Sequence, residues 1–282
     1  MARVCPRGNA GKRRVMQIGE QRRPSEPASP RRPGQASNSA GPRFLEPRSG
    51  PSALVGRQFA GRPVVAFIVA ALVGFVILAA IAIVAGWALK TYVLPDHGIG
   101  HADEHVNVWL SHHRTPTRND ASFWMSMIGD IPAIPVIVAL TALVAAIRRR
   151  WRVAAFIVTA ITVEAATYRA ATLAIHRERP RVPRLDHLPV DASYYSGHTA
   201  ASVAVYCGVA LLIASAIRNR AATAVVWSVA VAIPLLVALS RMYRGMHHPT
   251  DVAAGALWGV GSLLVAIMAA RAAAAAQERD AA

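Results

Sequence analysis

Cysteine is nearly missing from this chain: 282 residues hold two, Cys5 and Cys207. The first lies in a basic N-terminal stretch and the second inside an apolar block. Pairing across that distance is not expected, so there is no disulfide framework and no information on redox compartment. Charge is scarce at 16%, and aromatic residues make up only 6%. The basic N-terminal stretch has no aromatic platform and no folded module, so nucleic acid is not an expected partner. The same stretch lacks the apolar centre of a signal peptide, and no cleavage is expected. Alternation of apolar and polar residues over about ten positions, the mark of a transmembrane β-barrel strand, is also absent.

What is present is apolar sequence in long blocks. The chain is 54% hydrophobic with a mean hydropathy of +0.34. Six blocks approach the ~20 residues needed to cross a ~30 Å hydrocarbon core. They are Val64–Leu89, Ile131–Ile147, Val153–Ile175, Thr199–Ile217, Ala221–Leu239 and Val252–Ala270, the second beginning as early as Phe123. The expected fold is all-α, a polytopic membrane bundle of six transmembrane helices over residues 63–271. A disordered basic tail (1–62) should precede it and a short Ala-rich tail (272–282) follow it.

Residues 1–62 carry thirteen Lys/Arg and three Glu, and most of the net charge of +16 is theirs. Their Pro, Gly, Ser and Arg content, with no periodic apolar face, predicts disorder. Together with "RRRWR" (148–152), "RNR" (218–220) and Arg271, this tail alternates onto one side of a six-span bundle. By the positive-inside rule that side is cytoplasmic. Both termini are then expected in the cytoplasm, the protein in the plasma membrane, and residues 90–122, 176–198 and 240–251 on the opposite face. The tail reads as a solvated arm, compatible with attraction to anionic lipid.

Loop 90–122 holds five of the ten histidines, with His97, His101 and His105 at four-residue spacing near Asp96, Asp103 and Glu104. Such spacing can bind zinc. The preferred reading of "ADEHVNVWLSHHR" is an amphipathic helix at the membrane interface, between the first two spans, with Val106, Trp109 and Leu110 turned inward. No metal is expected.

Three polar stretches share the far face, each beside a span: "HRERPR" (176–181), "YYSGHTAAS" (194–202) and "SRMYRGMHHPTD" (240–251). Charged groups cost several kcal/mol each in lipid, so these stretches need water or an anionic partner. Their inventory suits phosphoryl transfer, which needs fixed cations, N–H donors, a nucleophile and a proton donor for the leaving oxygen. Arg179 and Arg241 offer planar forks for phosphate oxygens. Ser196 and Gly197 open a helix, where N–H groups and a hydroxyl can face an anion. His247 and Asp251 are one helical turn apart, so the carboxylate is expected to hold the imidazole as an oriented nucleophile. His198 is left to protonate the leaving group and then to activate water.

These residues resemble the type 2 phosphatidic acid phosphatase family, also called lipid phosphate phosphatases. The family pattern is Lys, six residues, Arg-Pro; then Pro-Ser-Gly-His; then Ser-Arg, five residues, His, three residues, Asp. The third element matches at Ser240, Arg241, His247 and Asp251, the second at Ser196, Gly197 and His198, and the first at Arg179-Pro180. The likeness runs from about residue 103 to 270. It implies a lipid phosphatase without a cofactor, working through a phosphohistidine on His247. Asp251 would orient that residue, His198 would be the acid, and Arg179, Ser196, Gly197 and Arg241 would hold the phosphoryl group. The substrate would be a membrane lipid phosphate or diphosphate. A lipid phosphotransferase using the same site, a catalytically inactive relative, and a vanadate haloperoxidase are the competing readings.

Two positions depart from the pattern. Thr172 stands where the family has lysine, and Tyr195 where it has proline. Arg169, one turn before Thr172, and Arg177, nearer the mouth, are candidates to supply the missing phosphate-binding cation. Pairing with Glu164 is the competing reading of Arg169.

Overall fold

A computed structural model describes residues 42–95, 98–186 and 192–277. Among these residues every regular element is helical. Cys5, Asp96 and His97 lie outside them, as do residues 1–41 of the expected basic tail.

Five helices are long and apolar enough to cross a membrane: Pro63–Val93, Trp151–Ala174, Gly197–Ala216, Arg220–Tyr243 and Pro249–Gln277. We label the α-helices in chain order: α1 (Pro51–Gln58), α2 (Pro63–Ala88), α3 (Ile99–His112), α4 (Pro116–Met127), α5 (Ala133–Ile147), α6 (Trp151–Ala174), α7 (Gly197–Ser202), α8 (Gly208–Ala216), α9 (Arg220–Tyr243) and α10 (Pro249–Gln277). A five-residue π turn, Val203–Cys207, joins α7 to α8. The block expected at 131–147 becomes α5, whose 15 residues reach about 22 Å at 1.5 Å per residue. That is short of a hydrocarbon core. Its extension toward Phe123 is broken at Gly129–Pro132, so α4 is a separate helix.

The bundle is built around α10, which packs along α1, α2, α6 and α7. Small residues permit the close approach. A Cβ on Gly74 of α2 would fall 2.7 Å from Val265, and one on Gly261 of α10 would fall 2.5 Å from Leu78. Where lipid tails are as apolar as leucine, close packing of this kind substitutes for hydrophobic drive. The outward face of α2 carries Leu72, Val76, Ile77 and Val84, all more than half exposed, as expected of a surface solvated by hydrocarbon.

Both expected tails need correction. Residues 43–45 form a 3-10 turn and 51–58 form α1, so order begins well before residue 63. Leu45 is 1% exposed, Phe44 sets its ring edge-on against Phe156, and its carbonyl accepts from Arg271 Nε at 2.8 Å. Gly56 makes the docking of α1 on α10 possible, because a Cβ there would meet Ala275 at 2.6 Å. At the other end, α10 does not stop near 271. Alanine is the best helix former, and Ala272, Ala274 and Ala276 are buried.

A helix, α3, occupies the stretch read as an interfacial one, but Val106 and Trp109, expected to turn inward, are exposed, and Asp103, Asn107 and Leu110 are buried. Its inward face is therefore polar, and it forms a wall of the site described next.

Candidate active site

The three motif stretches meet at the end of the bundle where α10 begins. The strap after α6 is held against the α9–α10 junction: Leu185 N–H donates to Arg244 O at 3.1 Å, and Arg114 donates to Pro183 O and Tyr243 O. Gly245 turns that junction at φ 73°, and a Cβ there would lie 2.9 Å from Val182. Both facts call for glycine.

His247 is 2% exposed and lies just before α10. Its Nδ1 donates to the carbonyl of Ser193 at 2.8 Å, which fixes the tautomer and leaves the Nε2 lone pair for chemistry. Asp251 is not its partner, contrary to expectation. Helical i, i+4 neighbours face each other only when both are helical, and His247 precedes the first turn. The Asp251 carboxylate instead accepts from Ser193 Oγ at 2.5 Å, from the His248 N–H at 2.9 Å and from Arg177. Asp251 thus acts on His247 through Ser193, whose hydroxyl it grips and whose carbonyl holds the imidazole. Burial pushes the His247 imidazolium well below its ordinary pKa. Asp251 opposes this, and Arg179 and Arg241 reinforce it. His247 is therefore neutral at neutral pH.

Arg179 and Arg241 are 4% and 2% exposed. Arg179 Nη1 donates to the carbonyl of Met246, next to His247. Arg241 Nη1 donates to Ser126 Oγ (2.7 Å) and Asp186 Oδ2 (2.8 Å), while its Nε and Nη2 are buried with no hydrogen-bond partner among the described residues. The two guanidiniums are close enough to repel each other. Unmet donors on a buried cation cost ~1–3 kcal/mol or more, so this end of Arg241 is poised for an anion. Arg244 is saturated by Asp186, Ser122 and two carbonyls. Burial raises the Asp186 carboxyl, but the hydrogen bond and charge of Arg244 and the charge of Arg241 bring it to a net position below the usual range.

His198 opens α7, with Nε2 3.4 Å from Asp130 Oδ1. That hydrogen bond pulls the Asp130 carboxyl down to about 2 against the effect of burial.

The remaining expected residues are placed differently. Ser196 is fully buried; its N–H donates to Asp251 O at 3.1 Å and its hydroxyl pairs with Thr199 at 3.0 Å, so neither points to an anion. Gly197 leaves room for the Tyr168 ring, 3.1 Å from where a Cβ would sit. Arg177 is clasped between Asp251 and Asp103 and also meets Thr250, so it is committed to carboxylates. Arg169 is exposed and lines a cavity of 840 Å³ together with Thr172 and Arg179. No described ion pair joins it to Glu164. Thr172, at the lysine position, is 4% exposed and turns its hydroxyl back to Tyr168 O.

Sequence reasoning missed Asp103, Asp130, Asp186 and Ser193. His248 was missed as well; it is 7% exposed between Glu104 (3.4 Å) and Asp251 (3.2 Å). The "GDIP" turn at 129–132 was the one available signal for Asp130: an acid at a break between apolar helices. Among the described residues no group of three His, Cys, Asp or Glu is placed to hold a metal.

The model of the PAP2 superfamily matches residues 153–274. All of the motif residues lie within this matched segment, whereas Asp103, Ser126 and Asp130 lie before it. Among solved structures, a transmembrane PAP2 type phosphatidylglycerolphosphate phosphatase from Bacillus subtilis is similar with TM-score 0.56 and 24% identity, over 70% of this chain and 92% of that one. LpxE of Aquifex aeolicus is similar with TM-score 0.47 and 18% identity, over 58% and 94%. No curated protein matches the chain. The first likeness supports a membrane PAP2 fold for the helices built here.

Proposed function

We propose that the chain is an integral membrane phosphatase that removes phosphate from a lipid phosphate or diphosphate through a phosphohistidine. The observation that carries this reading is the buried, neutral His247 beside two converging guanidiniums, one of which has two unmet donors. A dianionic phosphoryl group would satisfy those donors and relieve the repulsion. The match of residues 153–274 to the PAP2 superfamily and the phosphatase activity of the similar Bacillus subtilis protein point the same way.

In the first step His247 Nε2 attacks phosphorus, the bond to the leaving oxygen breaks, and that oxygen takes a proton from His198. Water then attacks the phosphohistidine and gives its proton back to His198, freeing His247 and phosphate. Arg241 and Arg179 hold the equatorial oxygens, where transition-state charge collects. Arg169, at the cavity rim one turn from Thr172, stands in for the missing lysine.

A lipid substrate fits the surroundings. A mostly apolar groove of 540 Å³ between α3, α4 and α9 is lined by Trp109, Leu110, Met125 and Leu239, with His113, Arg118, Ser122 and Ser240 also in its wall. Ser122 bonds Arg244, and Ser240 adjoins Arg241, so a tail in the groove would bring its phosphate to the arginines. We further propose that α4 and α5 together complete a sixth crossing. Arginines 148–150, 218 and 271 at the other end would then mark the cytoplasm, with the active site extracytoplasmic in the plasma membrane.

The test is purified protein in detergent against phospholipid and prenyl phosphates, with and without acceptor lipids, and His247→Ala as the blank. Phosphate release by wild type alone, with label trapped on His247, is the expected result. Transfer to an acceptor lipid in place of release would make the enzyme a phosphotransferase. No label on His247 would defeat the mechanism.

A further inference from the structure

His198 has to carry a proton, yet it sits beside the cationic Arg241. The charged groups facing its ring are Asp130 on the α4–α5 turn, Asp186 on the strap and Arg241 on α9. Asp186 is already engaged by Arg241 and Arg244. Of the two carboxylates, Asp130 is the one within ion-pair distance of the imidazole, through Nε2.

The position of Asp130 is built rather than incidental. Gly129 N–H donates to Ser126 O at 2.9 Å, and Ile131 N–H donates to Asp130 Oδ1 at 2.7 Å, which fixes the carboxylate relative to its own turn. The turn itself is pressed into the bundle. A Cβ on Gly129 would fall 2.7 Å from both Ser202 Oγ and Val237 Cγ1. Ser202 in turn donates to the His198 carbonyl at 2.7 Å. The turn that carries Asp130 thus packs against the residue that caps the His198 carbonyl. The pairing also keeps Asp130 ionised, its carboxyl standing at about 2.

We propose that Asp130 is a positioning residue for His198: it holds the Nε2–H, so that Nδ1 is the nitrogen that gives the proton to the leaving oxygen and later takes one from water. This rests on the phosphoryl-transfer reading above. The balance closes on His198 alone. In the first half-reaction the electron pair of the breaking P–O bond goes to the leaving oxygen, which takes the Nδ1 proton. His198 is left as the neutral Nε2–H tautomer, still held by Asp130. In the second half-reaction the O–P bond from water forms, the N–P bond to His247 breaks, and the proton of water goes to Nδ1. Asp130 stays ionised throughout. An imidazole free to change tautomer would present the wrong nitrogen for part of the time, which is the reason a carboxylate behind a catalytic histidine matters. Asp130 lies outside residues 153–274, so this support comes from a part of the chain that the family match does not reach.

The test uses the full chain in detergent with Asp130→Asn, which keeps shape and removes charge, and Asp130→Glu, which keeps charge. Two phosphate esters are compared, one with an alkyl leaving group and one with nitrophenolate, which needs no proton to leave. Asp130→Asn should lower the rate of His247 phosphorylation, read in a single turnover, at least ~10-fold for the alkyl ester, within the range general acid catalysis supplies. It should slow phosphorylation by the nitrophenyl ester far less, and Asp130→Glu should recover part of the loss. Equal slowing of that step with both esters, or with neither, would overturn the proposal. A second readout needs no turnover. In 15N-histidine spectra His198 should titrate at lower pH in Asp130→Asn than in wild type, and an unmoved titration overturns the pairing. Wild-type protein that shows this titration but hydrolyses neither ester would sink the phosphatase reading, and the catalytic half of this proposal with it, while leaving the pairing intact.

Discussion

The carbonyl oxygen of Ser193 lies 2.8 Å from Nδ1 of His247, while the hydroxyl of the same serine donates to Asp251 at 2.5 Å. One residue therefore joins the carboxylate to the His247 imidazole. Ser193→Ala removes the Oγ link and keeps the carbonyl. A hydrogen bond to a charged group is worth about 1.5–3 kcal/mol, so kcat should fall on the order of tenfold or more. Asp251→Asn, which disturbs Arg177 as well, should cost more. Steady-state phosphate release from both variants checks the order; Ser193→Ala at full activity would remove serine from the chain of contacts.

Acid should affect His247 in two ways. Its folded pKa is depressed by burial, so the unfolded state binds the proton more readily. The corresponding stability is fully present above the unfolded value of ~6.5 and is lost as pH falls from there toward the folded value. The nucleophile itself should remain neutral, and active, well below pH 6.5. An acid limb of kcat/KM centred at or above 6.5 would contradict this, as would a melting temperature that does not fall between pH 7 and 5.

Arg177 and Arg169 should separate cleanly. Arg177 is buried between two carboxylates, and breaking such a pair costs ~3–5 kcal/mol because it strands charge. Arg177→Met should lower the melting temperature by many degrees, and adding Asp103→Asn should restore part of it. Arg169→Ala, at an exposed position, should leave stability unchanged and reduce kcat/KM roughly tenfold, the scale of one charge-assisted hydrogen bond. Thermal melts beside kinetics decide it.

Gly255 is a packing test of the site. A Cβ there would lie 2.5 Å from the Ser196 carbonyl, on the loop whose N–H bonds Asp251 O. Overpacking of this kind costs ~1–3 kcal/mol. Gly255→Ala should shift the loop that carries Ser193 and His198, so activity should fall by more than the loss of stability alone explains.

Much of the fold was legible because hydrophobic runs of span length have few alternatives in a chain this apolar. Five of the six blocks appear as long helices, four of them within about four residues of where the sequence put them and the last running on to Gln277. The block at 131–147 was misjudged because its extension crosses Gly129–Pro132. Local turn chemistry there ends one helix before the next begins. Residues 43–58 read as disordered because they have no periodic apolar face. The docking of α1 comes from Gly56 fitting against Ala272 and Ala275 of α10, a match of small shapes that hydropathy does not register.

The sequence by itself determined the membrane class and the helical fold and singled out His198, His247, Arg179 and Arg241 as candidates, since these follow from composition, run length and residues close together along the chain. Only the tertiary structure decided who holds whom. Asp251 reaches His247 through Ser193, 58 residues away; Arg177 serves carboxylates instead of phosphate; Asp130 stands behind His198. Hydrogen bonds act over about 3 Å in space, and spacing along a chain predicts them only where both residues share one regular element, which His247 and Asp251 do not.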